Sequence, residues 1–123
     1  MLVESLLWLA LNVHHEARGE PYPCQVMTAE VVLRRVDSKY FPDTVKEVVL
    51  EKNQFSWTLK IKPDLSVITY KDKLAALEAM RGYYYTRTEL HYARAEVDNY
   101  WTSTMQPTMQ CGAHVFYDNG GKR

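Results

Sequence analysis

Residues 12–21 read NVHHEARGEP, and this segment closes an apolar helix. Before it, apolar residues recur at steps of three and four, which predicts a helix from about Val3 to Ala17. Gly19 and Pro21 follow, and both residue types are typical of the C-terminal boundary of a helix. Since apolar side chains occupy nearly all sides of this helix, we expect it to be the central buried helix of the fold.

Glu16 lies in the last turn of this predicted helix. The C-terminal end of a helix dipole is negative, and low-dielectric surroundings disfavour a charged carboxylate, so both effects raise the pKa of Glu16. A carboxylic acid that keeps its proton near neutral pH can act as a general acid. The structural alternative is that Glu16 caps the helix or forms an ion pair with Arg18 or with a lysine.

Five motifs resemble, in order and over nearly the whole chain, those of the cell-wall hydrolase family that includes the spore-cortex-lytic enzymes. They are Asn12–Glu20 (NVHHEARGE), Gln25–Val36 (QVMTAEVVLRRV), Tyr40–Val45 (YFPDTV), Gln54–Trp57 (QFSW) and Gly112–Tyr117 (GAHVFY). The combination of EARGE, QFSW and GxHxFY is specific enough to make a chance coincidence improbable.

The resemblance implies a lysozyme-like fold and cleavage of the glycan strand of peptidoglycan, with the glutamate of EARGE, here Glu16, as the catalytic acid. We therefore expect a mainly α (α+β) domain over residues 1–123, with a central buried helix and a small β element near the C-terminus. The chain departs from the family pattern at Cys24, where Gly is usual, at Cys111, where an apolar residue is usual, and at Arg34, which is often Asn.

The same motifs contain residues suited to sugar binding. An aromatic ring can stack on the apolar face of a pyranose, and a neighbouring amide can bond its hydroxyls. We expect substrate contacts from Gln25, Gln54, Trp57, Tyr92, His114, Tyr117 and Glu20. Phe55 is assigned to the core, and the alternative for Glu20 is a salt bridge to Arg18.

Five further elements follow from the periodicity of apolar residues and from the residues that end helices. Helices are predicted from about Cys24 to Val36, Val45 to Glu51 and Lys71 to Tyr85, and a helical turn from Arg94 to Tyr100. Alternation within residues 114–117 predicts a short strand.

Length and composition restrict the class of protein. A chain of 123 residues predicts one catalytic domain with no separate wall-binding domain. The 15 basic and 15 acidic residues cancel, which argues against a nucleic-acid binder. The apolar run near the start is far shorter than the roughly twenty residues of a membrane span, and it lacks the basic residues that open a signal peptide.

A minimal wall hydrolase without a leader is similar to a bacteriophage endolysin. We therefore expect a monomer that is made in the host cytoplasm and reaches the wall when a separate holin releases it. Cys24 and Cys111 lie beside two of the motifs. A disulfide between them is one reading, but two reduced cysteines are expected in a cytoplasmic product.

The number of carboxylates separates two reaction types. A hydrolytic muramidase needs a second carboxylate at a defined distance, for which Glu20, Asp64 and Asp118 are candidates, but the sequence marks none of them. A lytic transglycosylase needs one carboxylate and no cofactor, because the C6 hydroxyl of the sugar replaces water. This favours transglycosylase cleavage of the β-1,4 MurNAc–GlcNAc bond. The alternatives are a muramidase and a bacterial enzyme of spore-cortex or wall remodelling.

Two other classes remain as alternatives. A zinc hydrolase could use Glu16 with the four histidines, His14, His15, His91 and His114. However, adjacent residues on a helix point apart and the H-E-x-x-H spacing is absent, so we expect no metal site. A non-catalytic glycan-binding module predicts instead that Glu16→Gln leaves all function intact.

Overall fold

The computed structural model describes residues 2–120. Its helices are α1 (Leu2–Ala17), α2 (Tyr22–Asp37), α3 (Val45–Leu50), α4 (Trp57–Lys60), α5 (Tyr70–Met80) and α6 (Tyr100–Thr104), and a single 3-10 turn spans Leu65–Val67. The strands are β1 (His91–Arg94), β2 (Gln106–Cys111) and β3 (His114–Asp118). The predicted α+β fold class, with a small β element near the C-terminus, is confirmed. None of the helices within residues 2–120 has the length and apolar character that crossing a membrane requires.

Helix α1 is the central helix, as predicted. It packs against α2, α3 and α5, and its second half is buried, including Leu9, Leu11 and Val13. The helix ends where expected, because Gly19 takes the left-handed conformation with φ +87°. The chain then turns immediately into α2, which begins at Tyr22.

Helix α5 is tied to α1 through one carboxylate. Asp72 forms a capping box with Thr69 at the start of α5. The same carboxylate accepts a hydrogen bond from Nδ1 of His14 at 2.8 Å. This buried pair fixes the last turns of α1 against α5, close to Glu16.

The predicted extension of α5 to Tyr85 is wrong. The helix ends at Met80, because Gly82 adopts φ +88°, which the helix cannot continue through. Beyond it, the backbone N–H groups of Tyr85 and Thr86 donate to the buried carboxylate of Glu30 in α2, at 2.9 and 2.8 Å. A tertiary contact therefore replaces the helical hydrogen bonds that periodicity alone suggested.

The three strands form one antiparallel sheet in the order β1-β3-β2. The predicted strand at residues 114–117 is confirmed as β3, which pairs with both neighbours. The predicted helical turn from Arg94 to Tyr100 is wrong, because Arg94 pairs with His114 as the last residue of β1. In this register Tyr92 lies opposite Phe116.

A disulfide joins Cys24 at the start of α2 to Cys111 at the end of β2. The Cα atoms are 5.3 Å apart, within the usual range for a bridge. The expectation of two reduced cysteines is therefore wrong in this structure. The bridge links the segment that follows α1 to the β2–β3 hairpin, which tertiary packing brings together from opposite ends of the sequence.

Candidate active site

Glu16 lies in the wall of a cavity of about 400 Å³, which we call the catalytic cavity. Its lining comes from four parts of the chain: the end of α1, the segment before α4, the region from β1 to the start of α6, and β3. The contributing residues are His15, Glu16, Gln54, Ser56, Tyr92, Ala93, Arg94, Val97, Asn99 and His114. Four predicted site residues are thus brought together: Glu16, Gln54, Tyr92 and His114.

The carboxyl group of Glu16 is partly buried and accepts a hydrogen bond from the hydroxyl of Tyr92 at 2.9 Å. Burial raises the pKa of Glu16 above its ordinary value, which outweighs the opposite effects of the Tyr92 hydrogen bond and the positive charge of Arg35. Burial and the neighbouring Glu16 also raise the pKa of Tyr92 well above its usual value, so its hydroxyl keeps its proton. Glu16 therefore has the electrostatic setting of a general acid.

The structural alternative required an ion pair between Glu16 and a cation such as Arg18. Glu16 does not form that pair with Arg18. Nη1 of Arg18 lies 2.7 Å from Nε2 of His14. Because a guanidinium can only donate, Nε2 of His14 must accept and its Nδ1 must carry the proton that is donated to Asp72. Within residues 2–120, Glu16 forms no ion pair, so no cation in direct contact favours the ionised form of its carboxyl group.

A hydrogen-bonded chain leads from the core to Glu16. Nε1 of Trp57 donates to Oδ1 of Asn12 at 2.8 Å. The remaining amide group of Asn12 is hydrogen-bonded to the hydroxyl of Tyr92, which directs the tyrosine proton to Glu16. Trp57, which the sequence analysis places at the cleft, is only 6% exposed and is not among the residues that line the catalytic cavity. It acts on the site from inside, through Asn12 and Tyr92.

Arg35 is a buried cation whose charge acts on Glu16, and only 1% of its surface is exposed. Its guanidinium lies over the rings of Phe41 and Phe55, 4.8 and 5.1 Å from their centroids. Nε donates to the carbonyl of Leu90 at 2.7 Å, and Nη1 donates to Oε1 of Gln54 at 3.3 Å. Arg35 therefore holds the start of β1 and the QFSW segment in fixed positions beside Glu16. The assignment of Phe55 to the core is confirmed.

His114 is buried at the back of the catalytic cavity and packs edge-on against Tyr92, with 5.2 Å between ring centroids. Burial lowers the pKa of His114, so that its imidazole is neutral near pH 7. Its Nδ1 is buried and has no hydrogen-bond partner within residues 2–120. The ring of His114 limits how Tyr92 can rotate. Because the ring is neutral, it adds no positive charge near Glu16.

Three predicted substrate contacts lie outside the cavity lining. Gln25 is only 2% exposed, and its Nε2 donates to the backbone carbonyl of Glu20 at 3.0 Å. Tyr117 is buried in β3. Oε1 of Glu20 accepts from the backbone N–H of Ala113 at 2.7 Å, which supports the β2–β3 turn. The lining of the cavity therefore does not support direct sugar contact by Gln25, Tyr117 or Glu20, and this expectation stays a prediction.

The candidates for a second carboxylate are all engaged in hydrogen bonds with backbone groups. Asp64 caps the 3-10 turn by accepting from the backbone N–H of Ser66, and Asp118 accepts from that of Gly120. Neither Asp64, Asp118 nor Glu20 is among the residues that line the catalytic cavity. Among residues 2–120, no group of three or more His, Cys, Asp and Glu side chains is placed to hold a metal ion.

Two positioning residues were missed from the sequence. Asn12 is a polar residue on an otherwise apolar helix face, and Arg35 interrupts the apolar pattern of α2. A buried polar side chain needs partners, so each interruption signals a tertiary hydrogen bond. The partner itself could not be predicted, because it comes from a distant segment.

The cell wall hydrolase family matches residues 19–117, which is most of the chain. The chain therefore belongs to the cell wall hydrolase family, and the predicted family is confirmed. The match begins after Glu16, so the role of Glu16 depends on the site geometry and on the EARGE motif.

Among individual relatives, the chain is 34% identical over 113 residues to a spore cortex-lytic enzyme of Oceanobacillus iheyensis, and 30% identical to one of Bacillus subtilis. Both matches cover 88% of this chain but only 39% and 35% of those enzymes. The chain therefore corresponds to well under half the length of these relatives.

Two solved structures share the fold over nearly the whole chain. The catalytic domain of the Bacillus cereus SleB protein has a TM-score of 0.79 at 30% identity, covering 94% of this chain and 91% of that domain. The catalytic domain of the germination-specific lytic transglycosylase SleB from Bacillus anthracis has a TM-score of 0.78 at 31% identity, covering 93% of each chain. The similarity is thus to a catalytic domain specifically.

Proposed function

We propose that this domain is a peptidoglycan lytic transglycosylase that cleaves the β-1,4 bond between N-acetylmuramic acid and N-acetylglucosamine, with Glu16 as general acid and base. The observation that carries the proposal is the single carboxyl group, Glu16, among the residues that line the catalytic cavity, with a raised pKa. The likeness to the catalytic domain of a lytic transglycosylase supports the same reaction.

In the first step, protonated Glu16 gives its proton to the glycosidic oxygen, and the bond from that oxygen to C1 of N-acetylmuramic acid breaks. The Tyr92 hydrogen bond stabilises the carboxylate that forms. In the second step, the carboxylate takes the proton of the C6 hydroxyl of the same sugar while O6 attacks C1. A 1,6-anhydro product forms, no water is consumed, and Glu16 is protonated again.

This sequence of steps explains why one carboxylate is sufficient. A hydrolase would need a second carboxylate to activate water or to form a covalent intermediate. The candidates Glu20, Asp64 and Asp118 are engaged in backbone hydrogen bonds elsewhere. Internal attack by O6 removes that requirement.

The test compares the unmodified protein with Glu16→Gln on a peptidoglycan suspension. Glu4→Gln is the matched control, because Glu4 is an exposed glutamate at the other end of the same helix. We expect clearing by the unmodified protein and by Glu4→Gln, no clearing by folded Glu16→Gln, and 1,6-anhydro ends in the mass spectra of the fragments. Reducing ends on the fragments would instead establish hydrolysis. Clearing by Glu16→Gln would show that Glu16 is not the catalytic acid.

The endolysin role is a finer proposal about where the domain acts. Expression in a bacterial host with and without a holin would test it, with lysis expected only when the holin is present. The expected monomeric state and the cytoplasmic site of synthesis also stay predictions.

A further inference from the structure

A second pocket continues the catalytic cavity along the surface. This distal pocket has a volume of about 450 Å³ and is lined chiefly by Asn53, Gln54, Ser56, Asn99, Tyr100 and Trp101. Gln54, Ser56 and Asn99 also line the catalytic cavity. The two cavities therefore adjoin and form one groove, with Glu16 in one half of it.

The distal pocket presents aromatic rings at the start of α6. Tyr100 is 77% exposed, so its ring contributes little to the core and offers a free face. Trp101 is partly buried and packs edge-on against His91, with 4.6 Å between ring centroids, which anchors this end of the groove. Oδ1 of Asn99 caps α6 by accepting from Thr102, which leaves its amide NH₂ as the group that a ligand could use.

The orientation of Gln54 determines what the junction between the cavities can recognise. Its Oε1 accepts a hydrogen bond from Nη1 of Arg35. A guanidinium has no acceptor, so the amide oxygen must face Arg35 and the amide nitrogen must face away from it. Gln54 therefore presents a donor at the junction, and that donor suits a hydroxyl or acetamido oxygen of a sugar.

We propose that the distal pocket is a second sugar-binding subsite, which holds a further sugar of the same glycan strand against Tyr100, with Nε2 of Gln54 donating to a sugar oxygen at the junction. The proposal rests on the proposed function, because a polymeric substrate must extend beyond the bond that Glu16 cleaves. Because Gln54, Ser56 and Asn99 line both cavities, a strand that occupies both would run past these three residues.

The experiment measures binding without cleavage. Glu16→Gln protein is titrated with uncrosslinked peptidoglycan glycan oligosaccharides of increasing length, alone and combined with Tyr100→Ala or Tyr83→Ala. Tyr83 is the matched control, because its ring is 84% exposed and lies outside the lining of both cavities. Loss of the stacking contact should weaken binding of the long strands by roughly tenfold, and leave the shortest strand unaffected.

The outcomes separate the subsite from the reaction. Weaker binding of long strands by Tyr100→Ala but not by Tyr83→Ala supports the subsite. Equal binding by the two variants, or no binding of any strand, overturns it. Clearing of peptidoglycan by the unmodified protein is measured separately. If Tyr100→Ala weakens binding but the unmodified protein clears no peptidoglycan, the proposed function is contradicted and the proposed subsite is still supported.

Discussion

The hydroxyl of Tyr92 and Oε1 of Glu16 lie 2.9 Å apart and join β1 to the end of α1 across 76 residues of sequence. Since Tyr92 keeps its proton, it is the donor and Glu16 the acceptor. The contact stabilises the charged form of Glu16, while burial favours the neutral form. The proton affinity of the proposed catalytic acid is thus a balance between these two effects.

Tyr92→Phe should shift the pH profile of wall clearing. The substitution removes a hydrogen bond to the carboxylate, so the pKa of Glu16 should rise further. Activity that needs protonated Glu16 is lost as pH rises through this pKa, so the alkaline limb should move to higher pH. Initial clearing rates across a pH series would measure this shift. An alkaline limb at the same or a lower pH would contradict the inferred effect of the Tyr92 hydrogen bond on the pKa of Glu16.

Arg35→Met should destabilise the domain. The change removes the cation between Phe41 and Phe55 and leaves the carbonyl of Leu90 without its Arg35 partner. A buried hydrogen-bonded charge of this kind is worth about 2–4 kcal/mol. Urea unfolding would measure the loss, with Arg81→Met, at an exposed position, as the control. If both substitutions lower the free energy of unfolding equally, the buried guanidinium of Arg35 does not stabilise the domain as proposed.

Reduction of the Cys24–Cys111 bridge should lower the free energy of unfolding. The bridge closes a loop with a sequence separation of 87 residues. For a loop of that size the chain-entropy contribution is roughly 4–5 kcal/mol, as an upper value. Unfolding of the oxidised protein, the reduced protein and a Cys24→Ser/Cys111→Ser variant would test this. Identical unfolding curves for all three would contradict it.

Gly112→Ala should cost more stability than Gly120→Ala. Both glycines adopt positive φ, +58° and +64°, so the backbone strain introduced by alanine is similar, about 1–2 kcal/mol. At Gly112 the new Cβ would also collide with Oε1 of Glu20, whereas at Gly120 it meets open space. The Glu20 side chain can move away from the new Cβ only by giving up its hydrogen bond to Ala113, which should add about 1 kcal/mol. Thermal unfolding of the two variants is the measurement, and equal losses would refute the steric role of Gly112.

The sequence predicted the site only in part. Glu16, Gln54, Tyr92 and His114, each from a segment with a distinctive motif, line one cavity, while their roles in catalysis and substrate binding stay predictions. Trp57 belongs to such a motif as well, but it is not among the residues that line the cavity. A motif shows that a residue matters, whereas solvent access depends on how distant segments pack against it.

The sequence by itself determined the apolar helix that ends after Ala17, the carboxyl group in its last turn and the family. These depend on local periodicity, on Gly19 and on motif identity, all of which are readable along the chain. Only the tertiary structure decided the Trp57–Asn12–Tyr92 hydrogen bonds, the Cys24–Cys111 bridge and the contact of Glu30 with the segment after α5. Each of these joins residues far apart in sequence, and their pairing follows from burial and geometry that local patterns do not encode.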